Sequence, residues 1–183
     1  DTAFAKTATL PAKLSAMFDI TQDNTGLVTI TPNGEGTVSY EISYGDNSTT
    51  AATVAAGKNI KHVYGEGTYT VKITGKNING ETAQVTQPLT VSFKAPENLA
   101  VAVATNSLTV SVSAAAKYET MFRVYYGDSN NVTPIPFTSF LEGQTVAHTY
   151  SNAGTYIVRV VALSGGAATT QYLDTIQVAK QID

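Results

Sequence analysis

Apolar and polar residues alternate with period two in several short stretches of this chain. In the clearest of them, residues 38–44, four apolar side chains alternate with three polar ones. Such alternation predicts a β-strand with one face on a core and the other in solvent. No stretch keeps a helical period for long enough to form a substantial helix. About seven such strands in roughly 90 residues, separated by turn residues, predict an all-β chain of immunoglobulin-like sandwiches.

A sequence repeat divides these predicted strands into two sets. Tyr44-Gly45-Asp46 recurs 82 residues later as Tyr126-Gly127-Asp128. Gly67-Thr68-Tyr69 recurs 87 residues later as Gly154-Thr155-Tyr156. A period of this size corresponds to one small domain rather than to the unit of a solenoid.

The repeat therefore predicts two tandem β-sandwich domains, residues 1–94 and 95–183. The segment 94–98 contains Pro96 and is the predicted linker, which the proline would stiffen.

Turn and breaker residues predict the local layout of the first domain. Turns are expected at residues 23–26 and 32–36, and a tight hairpin at Asn79-Gly80. Residues 49–58 are mostly small and predict a loop. Pro88 cannot donate a ladder hydrogen bond, which predicts an edge strand or a bulge there.

Composition excludes several classes of site and partner. Charged residues make up only 14% of the 183 residues and the net charge is −3, with no basic cluster, so nucleic acid is not an expected partner. The absence of cysteine excludes disulfides and thiolate metal sites. No apolar run reaches 18 residues, so this segment is not expected to insert into a membrane. We expect no cofactor and no metal.

The aspartate in each Tyr-Gly-Asp unit has a structural and a functional interpretation. Its carboxylate can accept backbone N–H groups and close the turn after a strand, while the preceding glycine permits positive φ. Calcium binding is the alternative, because Asp46, Asn47 and Asp128 offer oxygen ligands. One carboxylate per turn is too few for a calcium site of six to eight oxygens, so the turn role is preferred.

Histidines and tyrosines also occupy matched positions in the two copies. His62 and His148 each lie two residues before a tyrosine, and an enzyme rarely needs its base once per domain; a hydrogen-bonded histidine at a strand end is the preferred interpretation. Tyr69 and Tyr156 follow Gly-Thr and are predicted to fill the core while the hydroxyl binds a backbone group, as in a tyrosine corner.

The order of these motifs resembles that of polycystic kidney disease (PKD) domains. In that family a strand ending in Gly-Asp-Gly is followed by His-x-Tyr and then by Gly-x-Tyr-x-Val. The likeness covers residues 44–73 and 126–160. The chain departs from the family pattern because it has no tryptophan before the turn, and because Asn47 and Ser129 replace the glycine after the aspartate.

The resemblance implies an extracellular protein. Bacterial PKD-like modules occur in tandem on secreted polysaccharide hydrolases, on proteases and on surface glycan-binding lipoproteins such as those of Bacteroidetes. There they act as spacers or as non-catalytic binding modules. The resemblance thus implies an extracellular or cell-surface location, including that of an outer-membrane lipoprotein, with a polysaccharide or another surface protein as partner.

Differences between the copies are the best guide to a binding site. The stretch 132–141 is rich in proline and aromatic residues, whereas its counterpart 49–58 is made mostly of small residues. If exposed, Phe137 and Phe140 would form an apolar patch beside Tyr125, which is predicted to face outward between Val124 and Tyr126. Tyr125, Phe137 and Phe140 are therefore the candidate ligand-binding residues. The alternative, which we prefer, is that both phenylalanines fold over an open end of the sandwich.

Three classes of function follow. We prefer non-catalytic spacer or binding domains of a cell-surface glycan-binding protein. Accessory domains of a secreted polysaccharide hydrolase, or a protein–protein adhesion module, are the alternatives. An enzyme is not expected, because no hydrolase or metalloprotease motif is present and no spacing brings together two of the four carboxylates considered as a pair, those of Glu41, Glu66, Glu119 and Glu142.

Overall fold

The computed structural model describes residues 8–180, and over that range it contains fourteen β-strands and no helix. The chain divides into two units, Asp1–Ser92 and Phe93–Asp183. The prediction of an all-β fold is therefore confirmed. In the part of the chain that is described, there is no helix of the length and hydropathy needed to cross a bilayer.

The first unit is a β-sandwich of two antiparallel sheets. One sheet has the order β1-β2-β5 and the other the order β4-β3-β6-β7. The seven strands are β1 (Ala12–Ile20), β2 (Leu27–Glu35), β3 (Ser39–Ser43), β4 (Ala52–Ala55), β5 (Ile60–Val63), β6 (Gly67–Lys76) and β7 (Thr82–Val91).

The second unit repeats this arrangement strand for strand. Its sheets have the orders β8-β9-β12 and β11-β10-β13-β14. The strands are β8 (Glu97–Asn106), β9 (Thr109–Lys117), β10 (Met121–Tyr125), β11 (Thr138–Phe140), β12 (Thr145–Thr149), β13 (Gly154–Leu163) and β14 (Thr169–Val178). A three-stranded sheet packed on a four-stranded one with this connectivity is immunoglobulin-like.

Alternation along the strands supplies the core of each unit. Val28, Ile42 and Ile73 are completely buried in the first unit, as are Val124 and Val160 in the second. Since successive residues of a strand point to opposite faces, every second residue of β3, β6, β10 and β13 points inward. Burial of one such aliphatic side chain stabilises the fold by about 1.5–3 kcal/mol.

The structure corrects two local predictions in the first unit. Residues 32–35 lie in β2 rather than in a turn; β5 pairs with β2 only as far as Ile30, so Pro32 has a neighbouring strand on the β1 side alone. Residues 52–55 form β4 rather than a loop, because Val54 is buried opposite Tyr40 of β3.

Other local predictions agree with the structure. Asn79-Gly80 lies in the hairpin connection between β6 and β7, which spans residues 77–81 and is longer than a two-residue turn, and Gly80 has a φ of 87°. Pro88 lies in β7, which is an edge strand of its sheet. The division between the units falls two residues before the predicted boundary, and β8 already begins at Glu97 within the predicted linker.

Independent folding of the two units stays a prediction. Each unit has its own buried core, so residues 1–92 and 93–183, expressed separately, are each expected to unfold in one cooperative transition. Thermal and urea denaturation followed by circular dichroism would measure this. A half that shows no cooperative transition while the whole chain does would contradict it.

Candidate functional site

Each unit has the same turn after the third strand, with glycine at its sharpest point. Gly45 follows β3 and Gly127 follows β10, with φ of 76° and 82°. A Cβ at Gly45 would collide with the backbone of Thr70, and one at Gly127 with the backbone of Ile157. Glycine is therefore required here both by the backbone angle and by the close approach of the neighbouring strand.

A histidine from the opposite sheet is hydrogen-bonded to the aspartate of this turn. Nε2 of His62 lies 2.7 Å from Oδ2 of Asp46, and the imidazole stacks on Tyr44 with ring centroids 3.7 Å apart. In the second unit His148 makes the same 2.7 Å contact with Asp128 and stacks on Tyr126 at 4.3 Å. The prediction of a hydrogen-bonded histidine at a strand end is confirmed in both copies.

The aspartate also closes the turn in the first unit. The backbone N–H of Ser48 donates to Oδ1 of Asp46 at 2.9 Å, as predicted. Partial burial raises the pKa of Asp46, but the hydrogen bonds from Ser48 and His62 outweigh that effect and bring it to about 2. The carboxylate is thus ionised at neutral pH, so His62 donates from Nε2.

The second turn is held differently. The side chain of Asn130 donates to the carbonyl oxygen of Gly127 at 3.4 Å, and the hydroxyl of Ser129 lies 3.5 Å from the Asp128 carboxylate. Over residues 8–180 the structure contains no group of three or more His, Cys, Asp or Glu side chains placed to hold a metal ion.

In each unit the tyrosine of the His-x-Tyr pair is more deeply buried than the one predicted to fill the core. Tyr64 and Tyr150, of the His-x-Tyr pairs, are 2% and 1% exposed. Their hydroxyls donate to the carbonyl oxygens of Tyr44 and Tyr126, at 3.0 and 2.9 Å. Burial raises the pKa of both phenols.

Tyr69 and Tyr156 are only half-buried, so the core role predicted for them is largely taken by Tyr64 and Tyr150. Their hydroxyls do bind backbone carbonyls, those of Gly65 and Asn152, both at 3.0 Å. They are half-buried because each ring lies over the tyrosine beneath it. The centroid of Tyr69 is 4.7 Å from that of Tyr64, and the centroid of Tyr156 is 4.0 Å from that of Tyr150.

Phe140 is a core residue and not part of an exposed patch. It is 2% exposed, lies opposite Phe122 in the β10–β11 pair and stacks on that ring at 5.3 Å. Phe140 lies eight residues before His148, as Val54 lies eight before His62. Counting back eight residues from the histidine would therefore have placed Phe140 in the core. Its prediction as a ligand-binding residue is corrected, because the side chain is buried.

The extra residues of the second unit lie before Phe140. Twelve positions separate Asp128 from Phe140, whereas eight separate Asp46 from Val54. The insertion thus falls in residues 129–139 and includes Phe137, which is 45% exposed. The preferred interpretation, burial of both phenylalanines, holds for Phe140 alone.

Tyr125 and Phe137 come together on the outer surface. Their ring centroids are 5.6 Å apart, and Tyr125 points away from the core as predicted. Each ring is covered by an arginine: Arg159 lies 3.9 Å from the Tyr125 centroid, and Arg123 lies 4.5 Å from that of Phe137. Sequence reasoning missed both arginines, although they are the only two in the chain and each is predictable as an outward strand position.

A small cavity of about 140 Å³ adjoins this surface. The inserted residues Ile135, Pro136 and Phe137 form one part of its lining, and Asp128 and His148 form another. The cavity thus lies between the duplicated His–Asp pair and the inserted loop of the second unit.

Two carboxyl groups that were expected to lie apart are neighbours. Burial raises the pKa of Glu119, and the nearby carboxyl of Glu142 raises it further. The expectation that no two of the four glutamates approach each other is wrong for this pair. Neither residue lines the cavity beside Phe137.

Comparisons with known proteins show structural similarity only. No protein-family model and no curated protein matches the chain. Among solved structures, a segment of two fibronectin type III domains from chicken tenascin covers 93% of this chain and all of its own, with 10% identity and a TM-score of 0.47. Fibronectin(III)-like modules of Clostridium thermocellum CbhA cover 91% of this chain and 95% of theirs, with 14% identity and a TM-score of 0.35. The BSP domain of a biofilm-associated protein matches 93% of this chain and 30% of its own, with 18% identity and a TM-score of 0.33.

The buried tyrosine bond can be tested by a one-atom change. Tyr150→Phe removes the donor to the Tyr126 carbonyl and leaves that buried acceptor unpaired, so the free energy of unfolding should fall by about 1–3 kcal/mol. Tyr156→Phe is the control, because its hydroxyl is exposed; the change should stay within about 0.5 kcal/mol. Urea denaturation measures both, and equal losses would contradict the assignment of Tyr150 as the core tyrosine.

Proposed function

We propose that the chain is a non-catalytic spacer and binding module of a cell-surface or secreted glycan-binding protein, built from two PKD-like sandwiches. The second unit supplies the binding surface, at Tyr125 and Phe137. The motif order of each copy supports the PKD-like assignment, and that resemblance in turn supports an extracellular location, including that of an outer-membrane lipoprotein.

One observation carries this proposal: the histidine–aspartate pair occurs in both units, whereas the exposed aromatic loop occurs in the second unit alone. His62 and His148 make the same 2.7 Å bond to an aspartate and stack on the same tyrosine. A feature present once per unit in the same geometry is explained by the needs of the fold. Phe137 has no counterpart in the first unit, and the core does not require it.

The arrangement offers little to a catalytic mechanism. The imidazole of each pair is engaged on Nε2 by a carboxylate and on one face by a tyrosine ring. The Glu119 and Glu142 carboxyls are a further pair that this unit brings together, and they lie outside the lining of the cavity beside Phe137. We therefore assign no catalytic residue.

A protein–protein adhesion module is the second candidate. Ile157 and Leu173 are both more than half exposed on the outer face of the second unit, which a protein partner would cover. Accessory domains of a secreted polysaccharide hydrolase would use the same surface as the preferred function and differ only in what the longer protein contains.

The experiment is retention of the chain on a panel of immobilised polysaccharides. Phe137→Ala should weaken retention by about tenfold and leave the melting temperature nearly unchanged, because an exposed loop side chain adds little to stability. Ile78→Ala is the matched control: Ile78 is 76% exposed in the first unit and its removal should change neither quantity.

Two outcomes would contradict the proposal. If the chain is retained and Phe137→Ala binds as well as the original, the second unit does not bind through this loop. If no polysaccharide retains the chain while a surface protein does, and Leu173→Ala abolishes that interaction, the adhesion function replaces it.

A further inference from the structure

On the outer face of the four-stranded sheet in the second unit, the strand positions carry positive charge and no negative charge. Residues paired across an antiparallel ladder point to the same side, so the register identifies every outward residue. These are Met121, Arg123, Tyr125, Ser139, Thr155, Ile157, Arg159, Val161, Leu163, Thr169, Gln171, Leu173, Thr175 and Gln177. Both arginines of the chain are among them, and none of these strand positions is Asp or Glu.

The two arginines are neighbours in this face. Arg123 precedes Tyr125 by two residues on β10, and Arg159 lies directly opposite Tyr125 on β13. The arginines are thus diagonal neighbours across the two strands, with backbones roughly 7–8 Å apart. A ligand with repeated anionic groups can reach both.

Within the described part of the chain, the polar groups of both guanidiniums have no partner. Among residues 8–180, neither makes a hydrogen bond or an ion pair with a side chain or backbone group, and Nε of Arg123 is buried without a partner. Both guanidiniums lie over ring faces, that of Phe137 for Arg123 and that of Tyr125 for Arg159. Stacking holds a guanidinium plane in place. Since Nε of Arg123 is buried, its terminal Nη groups are the donors available to an acceptor, whereas Arg159 can offer its whole N–H edge.

The same stacking argues against a neutral sugar laid flat on these rings. A ring face that receives a guanidinium is not open to the C–H face of a sugar. The groups that the surface offers outward are then N–H donors in a fixed fork, which match carboxylate or sulfate oxygens two at a time.

The first unit shows what this face looks like without such a role. By the register of the two sheets, Glu41 corresponds to Arg123, Ser43 to Tyr125 and Lys72 to Arg159. The fold therefore tolerates a carboxylate and a small hydroxyl at these positions. The arginine and aromatic residues of the second unit answer a need other than folding.

We propose that this face binds an acidic polysaccharide, with Arg123 and Arg159 as the anion-binding residues held in position by Phe137 and Tyr125. The shared chemistry is a carboxylate or sulfate group on a sugar polymer. This inference rests on the proposed function, since it names the ligand class for the same surface. The chain as a whole carries a charge of −3, so the attraction is local and is screened by salt.

Isothermal titration calorimetry of the full chain tests the proposal with three polymers: polygalacturonate, which carries carboxylates, dextran sulfate, and uncharged dextran. Binding to at least one acidic polymer is expected, weaker at high salt, with dextran at least tenfold weaker. Arg123→Gln and Arg159→Gln should each weaken acidic-polymer binding about tenfold. Preference for polygalacturonate or for dextran sulfate identifies which anion is recognised.

The control is Lys72→Gln, which removes one positive charge from the corresponding position of the first unit and should leave affinity unchanged. Arg159→Lys keeps the charge and loses the planar fork; it should bind more weakly than the original even if Arg159→Gln fails to fold. Melting temperatures show which variants are folded.

Three results would overturn the inference. Failure of both acidic polymers to bind is the first, and equal weakening by Lys72→Gln and Arg159→Gln is the second, because it would indicate non-specific charge attraction. The third is retention of a neutral glycan that depends on Phe137 and not on either arginine. That third result would leave the proposed function standing and reject only the acidic ligand, whereas failure of every glycan would reject both.

Discussion

The hydroxyl of one buried tyrosine in each unit ties the two sheets of the sandwich together. Tyr64 follows β5 of one sheet and donates to the carbonyl at the end of β3 in the other, and Tyr150 does the same beyond β12 and β10. Without that bond the buried phenol would lose its hydration with no compensating partner, and the accepting carbonyl lies just past the end of its strand. The following glycine, the aspartate and the histidine are arranged around this contact. In the first unit the ring of His62 stacks on Tyr44 and its Nε2–H donates to Asp46. The second unit repeats both contacts.

This constraint accounts for what the two units share and isolates what they do not. Once tyrosine, glycine, aspartate and histidine are assigned to the fold, their duplication needs no catalytic explanation. The outward positions are under no such requirement. The first unit fills them with Glu41, Ser43 and Lys72, and the second with Arg123, Tyr125 and Arg159. The insertion then adds Phe137 beside them.

Local patterns predicted much of this fold because strand alternation and turn chemistry act over a few residues. Tyr40 and Ile42 were placed in the core by period two alone. The local pattern misses β4 and with it Val54, and it favours burial of Phe140 without predicting β11, since these strands are only four and three residues long and lie among loop-like residues. Their burial is imposed by β3 and β10 across the sheet. The pairing of Arg159 with Tyr125 depends on strand register, which no local pattern gives. The core role of Tyr64 could not be predicted either, because its hydroxyl donates to a carbonyl 20 residues earlier in the chain.

Nuclear magnetic resonance of the full chain would test the central claim, that the shared cluster is structural and the outer face of the second unit binds the ligand. Two arginines and two histidines give four assignable side-chain signals in one sample. Addition of the acidic polymer that binds is predicted to shift the Nε signals of Arg123 and Arg159 and to leave the imidazole signals of His62 and His148 in place. Shifts at the imidazoles with unmoved arginines would contradict the account.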